Sequence, residues 1–184
     1  MATQAVEAGL GSHAPDFALP GACGQTWSRA DALGANGLVV MFICNHCPYV
    51  QAVLDRIVRD ARDLQALGVG VVAISSNDAV AYPEDSFEAM QRLWRAKQLP
   101  FPYLVDEDQS VARAYGAVCT PDFYGYDRDL RLRYHGRLDA SGRQPAPPDA
   151  PRELFEAMRQ VALGGAVPAR QSPSIGCSIK WKAA

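Results

Sequence analysis

The sequence predicts a layered α/β domain built on parallel strand pairing, and three observations predict it. The runs Gly37 to Ile43 and Val69 to Ser75 are continuously apolar and β-prone, as strands buried on both faces are. Between them, apolar residues from Val50 to Leu67 recur at three- and four-residue spacing, which lines one face of a helix. Strand, helix, strand in that order implies a right-handed crossover and a parallel pair.

The remaining elements follow in chain order. Asp16 to Leu19 and Gln25 to Trp27 flank the glycine-rich Gly21-Ala22-Cys23-Gly24 and read as an N-terminal hairpin ahead of the main sheet. The first long helix starts after Pro48 and stops at Gly68. A second helix is expected from about Glu84 to Lys97, with Pro83 just ahead of it. Phe101 to Val105 reads as a short strand and Asp108 to Tyr115 as a short helix. Asp122 to Asp127 and Leu130 to Arg137 alternate around Arg128-Asp129, as an antiparallel hairpin does. Ser141 to Pro151 is a proline-rich connection, and Arg152 to Leu163 a closing helix ended by Gly164-Gly165. Residues 1–163 are thus expected to form one domain, and residues 164–184, with no helical period, an extended tail.

Composition narrows the function. With 184 residues, 48% hydrophobic and 21% charged, the chain is long enough for one real core and too apolar for disorder. A net charge of -2 and the absence of a basic run argue against a nucleic-acid partner. The N-terminal stretch has no cationic start followed by an apolar run, so neither a secretory signal nor a membrane span is expected, and the default location is the cytoplasm. Thiols stay mostly reduced there, and a close cysteine pair is more often catalytic or metal-binding than a staple. The five cysteines, Cys23, Cys44, Cys47, Cys119 and Cys177, are an odd number and cannot all be paired within the chain.

The chemistry concentrates in Phe42-Ile43-Cys44-Asn45-His46-Cys47-Pro48-Tyr49. A strand ending at Cys44 and a helix beginning near Cys47 are expected to put Cys44 at a helix N-terminus, where free N–H groups and the dipole stabilise a thiolate. Cys47 lies one helical turn on, within disulfide reach, and His46 can add a further positive influence on the thiolate. Three readings compete: a redox dithiol, a metal clip of Cys44, His46, Cys47 and a remote cysteine, or two inert core cysteines. The strand-to-helix context favours the dithiol. Haem attachment fails because Pro48, not histidine, follows Cys47.

Four segments, Ala14 to Pro20 (APDFALP), Cys44 to Val50 (CNHCPYV), Val118 to Asp127 (VCTPDFYGYD) and Pro173 to Lys182 (PSIGCSIKWK), together resemble the thioredoxin-fold, peroxiredoxin-like group of the alkyl hydroperoxide reductase and redoxin (AhpC/TSA) family. The resemblance runs from about Gly11 to Lys182. It implies a thioredoxin-like three-layer sandwich with a central mixed β-sheet flanked by helices, an N-terminal extension, and a cis-proline opposite the CxxC. That proline would be Pro121, after Thr120, where a cis bond presents backbone groups to a partner's disulfide. His46, Cys119, Thr120 and Pro121 are accordingly expected on the substrate side of the dithiol.

The resemblance also splits the assignment of the nucleophile. The thioredoxin pattern makes Cys44 the attacking thiol; the peroxiredoxin pattern points to Cys47, before Pro48. Cys44 stands where a peroxiredoxin would carry threonine or serine, which favours disulfide exchange over peroxide reduction. The strand 38–43 also lacks the buried acid that many thioredoxins carry, leaving His46 or water to accept the proton.

The tail holds Ile175, Ile179 and Trp181, whose exposure would leave apolar surface in water, so it is expected to fold back over the site with Trp181 as anchor and Cys177 as a third redox thiol. Tyr49, Phe123 and Tyr124 are expected near the dithiol groove or in the core, and His13, His135 and Cys23 receive no catalytic role. The sequence therefore reads as a thiol–disulfide oxidoreductase in which Cys44 attacks and Cys47 resolves, with weak thiol peroxidase activity within the same chemistry. It needs no cofactor or metal. Its partners would be a protein or small-molecule disulfide, or a hydroperoxide, and a reductant such as thioredoxin or glutathione. The rival reading is a metal-binding protein holding Cu(I) or Zn(II) through thiolates.

Overall fold

The computed structural model describes residues 2–6 and 8–183. The main sheet has five strands in the order β6-β5-β4-β8-β9. Its centre is β4 (Gly37–Phe42), every residue of which is buried. β4 pairs in parallel with β5 (Val69–Ser75) and antiparallel with β8 (Asp122–Tyr126). β6 (Tyr103–Val105) extends the parallel side, and β9 (Leu132–Gly136) closes the antiparallel side through a bulge at Gly125/Tyr126.

The two-residue period of β4 builds both cores. Val39, Met41 and Ile43 face one cluster with α2 (Pro48–Ala66), α3 (Phe87–Ala96) and α5 (Glu153–Ala162). Leu38, Val40 and Phe42 face the other, with α1 (Arg29–Ala32) and α4 (Ser110–Tyr115). Helices thus cover both faces, the expected three-layer arrangement. Each fully buried aliphatic side chain contributes roughly 1.5–3 kcal/mol of apolar burial.

Helix α2 begins with Pro48 in its first turn, where a missing N–H costs nothing, and the chain leaves it through Gly68 at φ 76°, a left-handed conformation suited to glycine. The hairpin of β2 (Ala18–Pro20) and β3 (Thr26–Ser28) leads into α1 through a capping box of Ser28 and Asp31.

Two expectations need correction. The second helix does not begin near Glu84: Pro83–Asp85 form a 3₁₀ turn, and Ser86 caps α3, its hydroxyl accepting from the Ala89 N–H at 3.3 Å. Proline and the two acids favour a tight turn there, and that turn points Asp85 inward. The tail, read as merely extended, contains a strand. β10 (Ile175–Ser178) lies between β1 (Ala2–Gln4) and β7 (Cys119–Thr120) in a separate three-stranded antiparallel sheet. β1 carried no apolar alternation from which to predict it.

Candidate active site

The Cys44–Cys47 segment leaves the end of β4 and enters α2, and one buried carboxylate shapes the bend. Asp85 Oδ1 accepts the backbone N–H groups of Asn45 at 2.8 Å and His46 at 3.2 Å. Its Oδ2 meets His46 Nδ1 at 2.5 Å and accepts from Asn77 Nδ2 at 2.7 Å. The Asn45 side chain donates to the Glu84 carbonyl at 2.9 Å and accepts from the Tyr103 hydroxyl at 3.0 Å. The His46 ring stacks on Tyr82, centroids 5.4 Å apart. A chain reversal with so many backbone donors turned inward needs such acceptors, since an unpaired buried N–H costs about 1–3 kcal/mol.

Both sulfurs are closed off: Cys44 is 1% exposed and Cys47 0%. No disulfide is formed, and all five cysteines are free thiols. Thr120 serves both members of the pair. Its Oγ1 lies 3.4 Å from Cys44 Sγ, and its carbonyl accepts the Cys47 thiol at 3.2 Å. The Thr120–Pro121 bond beside them is cis.

The helix N-terminus acts on Cys47 rather than Cys44. The helix starts at Pro48, so Cys47, not Cys44, is its N-cap residue. The Cys44 thiol, then the Cys177 thiol, the Thr120 hydroxyl and the Val50 N–H, act on Cys47 against the cost of burial and lower its pKa to about 4. Cys44 is pushed far up, first by its hydrogen bond to Cys47, then by burial and the Asp85 charge. The dithiol thus holds one negative charge readily and resists a second.

The other expected site residues fall as follows. Cys177 lies opposite Thr120 in the β10–β7 register, half-buried, its thiol raised to about 11 by burial and then by Cys47. Cys119 is fully buried in β7, its thiol pushed up by burial and by Asp122, Cys47 and Cys177. Phe123 and Tyr124 are core residues, one in each cluster, whereas Tyr49 is only partly buried. The tail's buried anchor is Ile179, 3% exposed; Trp181 keeps 37% of its surface exposed and lies under the Arg113 guanidinium at 4.5 Å. An indole at the chain's edge finds a cation more readily than a pocket.

Three groups escaped sequence reasoning. Asp85 comes from a loop far from the motif, and Asn77 links its carboxylate to the tail by accepting the Lys180 N–H at 2.8 Å. Asp122, fully buried beside Pro121, accepts from His135 Nε2 at 3.1 Å, while Ala8 N–H donates to His135 Nδ1. Both acids sit next to turn or strand signals that carry no chemical signature. Among the described residues, one trio of potential metal ligands stands out: atoms of Cys44, His46 and Asp85 lie within 4.8 Å of one another. A thiolate, an imidazole and a carboxylate suit Zn(II), although His46 and Asp85 already satisfy each other. No helix among the described residues is long and apolar enough to cross a membrane.

The sequence model of the AhpC/TSA family matches residues 10–135. No curated protein matches the chain. A solved structure of an uncharacterized conserved protein from Geobacillus kaustophilus is 46% identical, with all of this chain and 98% of that one covered at a TM-score of 0.95. A hypothetical protein from Sinorhizobium meliloti is 42% identical, with 99% of this chain and all of that one covered at 0.90. The peroxidoxin BcpB of Mycobacterium tuberculosis, 14% identical over 84% of this chain and 96% of its own, reaches 0.62 and shows the shared thioredoxin-like fold alone.

Proposed function

The chain belongs to the AhpC/TSA family, and from that premise we propose that it is a thiol–disulfide oxidoreductase whose Cys44 and Cys47 cycle between dithiol and disulfide. One observation carries this reading: the two thiols stand together where β4 turns into α2, Cys47 at the helix N-cap and both within reach of Thr120 beside its cis bond to Pro121. The Cys47 thiolate displaces one sulfur of a substrate disulfide, which leaves as a thiolate and takes up a proton. The Cys44 thiol then loses its proton and attacks Cys47 Sγ, releasing the second substrate thiol and closing the Cys44–Cys47 disulfide. This order gives the first attack to Cys47, because the helix N-terminus serves that residue. The half-buried His46 and buried Asp85 border Cys44, and the pair stands in for the acid missing from β4 as the route for its proton.

Substrates are disulfides of proteins or small molecules, with hydroperoxide a poorer one because Cys44 replaces a hydroxyl residue beside Cys47. The reductant is a thiol, and a reducing compartment such as the cytoplasm fits five free cysteines. The test is turnover of a chromogenic aromatic disulfide with glutathione as reductant. The reading expects activity in the wild type, its loss in Cys47→Ser and a Cys47 mixed disulfide trapped or slowed in Cys44→Ser; activity persisting in Cys47→Ser would refute it.

The ligand trio of Cys44, His46 and Asp85 supports a second reading, a Zn(II) or Cu(I) protein. Metal analysis after purification under reducing conditions separates the two. One equivalent of metal, with Asp85→Asn abolishing it, would favour the metal reading.

A further inference from the structure

We propose that Cys177 is the port through which the buried dithiol exchanges with a low-molecular-weight thiol–disulfide couple, so that a small thiol rather than a protein dithiol re-reduces this protein. The proposal rests on the dithiol reading above and adds the partner class and the route.

The first argument is that the tail is sewn down on both sides of Cys177. Upstream, Ser174 Oγ donates to the Gly136 carbonyl at 2.8 Å, and the Ala5 N–H donates to the Ser174 carbonyl at 2.9 Å. Downstream, the Ile179 N–H donates to the Val118 carbonyl at 2.9 Å and the Lys180 N–H to Asn77 Oδ1 at 2.8 Å. Gly176 approaches Thr120 so closely that a Cβ on it would lie 1.9 Å from the Thr120 carbonyl oxygen. β10 therefore fills the edge of β7 beside the sulfurs, and β1 fills the far edge of β10. A protein partner docking an extended segment on that edge would have to strip away the whole strand.

The second argument is the position of Cys177 itself. It is half-buried where Cys44 and Cys47 are closed, it stands opposite Thr120, whose carbonyl accepts the Cys47 thiol, and it packs against the core cluster that holds both dithiol cysteines. Cys177 is thus the one thiol of this cluster that is not closed to solvent.

The exchange balances as follows. Starting from the Cys44–Cys47 disulfide, Cys177 gives its proton to water and its thiolate attacks Cys47 Sγ; the Cys44–Cys47 bond breaks, and Cys44 leaves with the electron pair and takes up a proton. A small thiolate then attacks Cys177 Sγ, the less buried of the two sulfurs, and Cys47 leaves with the bonding pair as a thiolate. A second small thiolate attacks the small-molecule sulfur of the mixed disulfide, releasing the small disulfide and the Cys177 thiolate, which is reprotonated. Two small thiols have lost two electrons, and the protein has regained its dithiol. The reverse order oxidises the dithiol with a small disulfide.

The experiment loads wild-type and Cys177→Ser protein with one equivalent of hydrogen peroxide, small enough to reach the dithiol unaided, and follows re-reduction by glutathione and by thioredoxin at equal thiol concentration. Both proteins should form the Cys44–Cys47 disulfide, and glutathione should reduce Cys177→Ser about tenfold more slowly than wild type or worse. Thioredoxin should reduce the wild type no faster than glutathione does. Reduction of Cys177→Ser at the wild-type rate, or rapid reduction of both proteins by thioredoxin, would overturn the proposal while leaving the dithiol reading intact. In Cys47→Ser treated with oxidised glutathione, the adduct should form on Cys177; an adduct on Cys44 instead would also overturn it. Failure of the Cys44–Cys47 disulfide to form in either protein removes the dithiol reading, and this proposal with it.

Discussion

His46 Nδ1 and Asp85 Oδ2 stand 2.5 Å apart, and the Asp85 side chain is wholly buried while that of His46 is one quarter exposed. The same carboxylate receives two backbone N–H groups of the CxxC segment, so a single acid both folds the bend and sets the charge next to Cys44. Asp85→Asn keeps the shape and removes the charge. It should cost about 1–3 kcal/mol of stability through weakened hydrogen bonds. It should also lower the pKa of Cys44, because the Asp85 charge opposes a thiolate there. Chemical denaturation reads the first effect and the pH dependence of Cys44 alkylation the second; an unchanged Cys44 profile would contradict this role.

Cys47 should remain a thiolate down to about pH 4, and thiolate absorbance in the reduced protein should fall as the pH is lowered through that value. The sign for stability follows. The folded pKa lies below the ordinary thiol value of 9.0, so Cys47 contributes stability that is full above that value and is lost as the pH falls through about 4. Cys44 has the opposite sign: its raised pKa makes its contribution disappear as the pH rises above the ordinary thiol value. Cys44→Ala removes the largest influence on Cys47 and should shift the absorbance step upward.

Gly176→Ala should loosen the tail, because its methyl group would meet the Thr120 carbonyl at 1.9 Å. A clash of this kind costs about 1–3 kcal/mol. Amide exchange should accelerate from Ile175 to Ile179, and Cys44 and Cys47 should alkylate faster than in the wild type. Unchanged protection would mean that β10 does not cover the dithiol.

His135→Ala should cost about 2–3 kcal/mol, since it leaves the fully buried Asp122 carboxylate without its side-chain partner. The loss should show in thermal unfolding. His135→Gln, able to donate at a similar reach, should recover part of it.

Much of this architecture is written locally in the chain. Val39, Met41 and Ile43 alternate with Leu38, Val40 and Phe42, so the central strand and both cores could be read from a single apolar run. Helix α2 likewise declared its start at Pro48 and its end at Gly68. The start of α3 was missed because Pro83 fits a 3₁₀ turn as well as a first helical turn, and the capping Ser86 decides between them. β1 and β10 were illegible because their pairing joins the two ends of the chain and depends on partners rather than on pattern. In the site, the cysteines and Thr120–Pro121 could be named from the sequence. Asp85 could not, since its effect on the motif comes wholly from a tertiary contact.

The central claim is that Cys44 and Cys47 form a reversible disulfide. Its most direct test is differential alkylation with peptide mass spectrometry on metal-free protein, before and after one equivalent of oxidant. The account predicts two alkylatable thiols that become a Cys44–Cys47 disulfide and return to thiols with glutathione. If both remain free thiols after oxidation and resist alkylation in the folded protein, the pair is packing or a metal clip, and the redox assignment is contradicted.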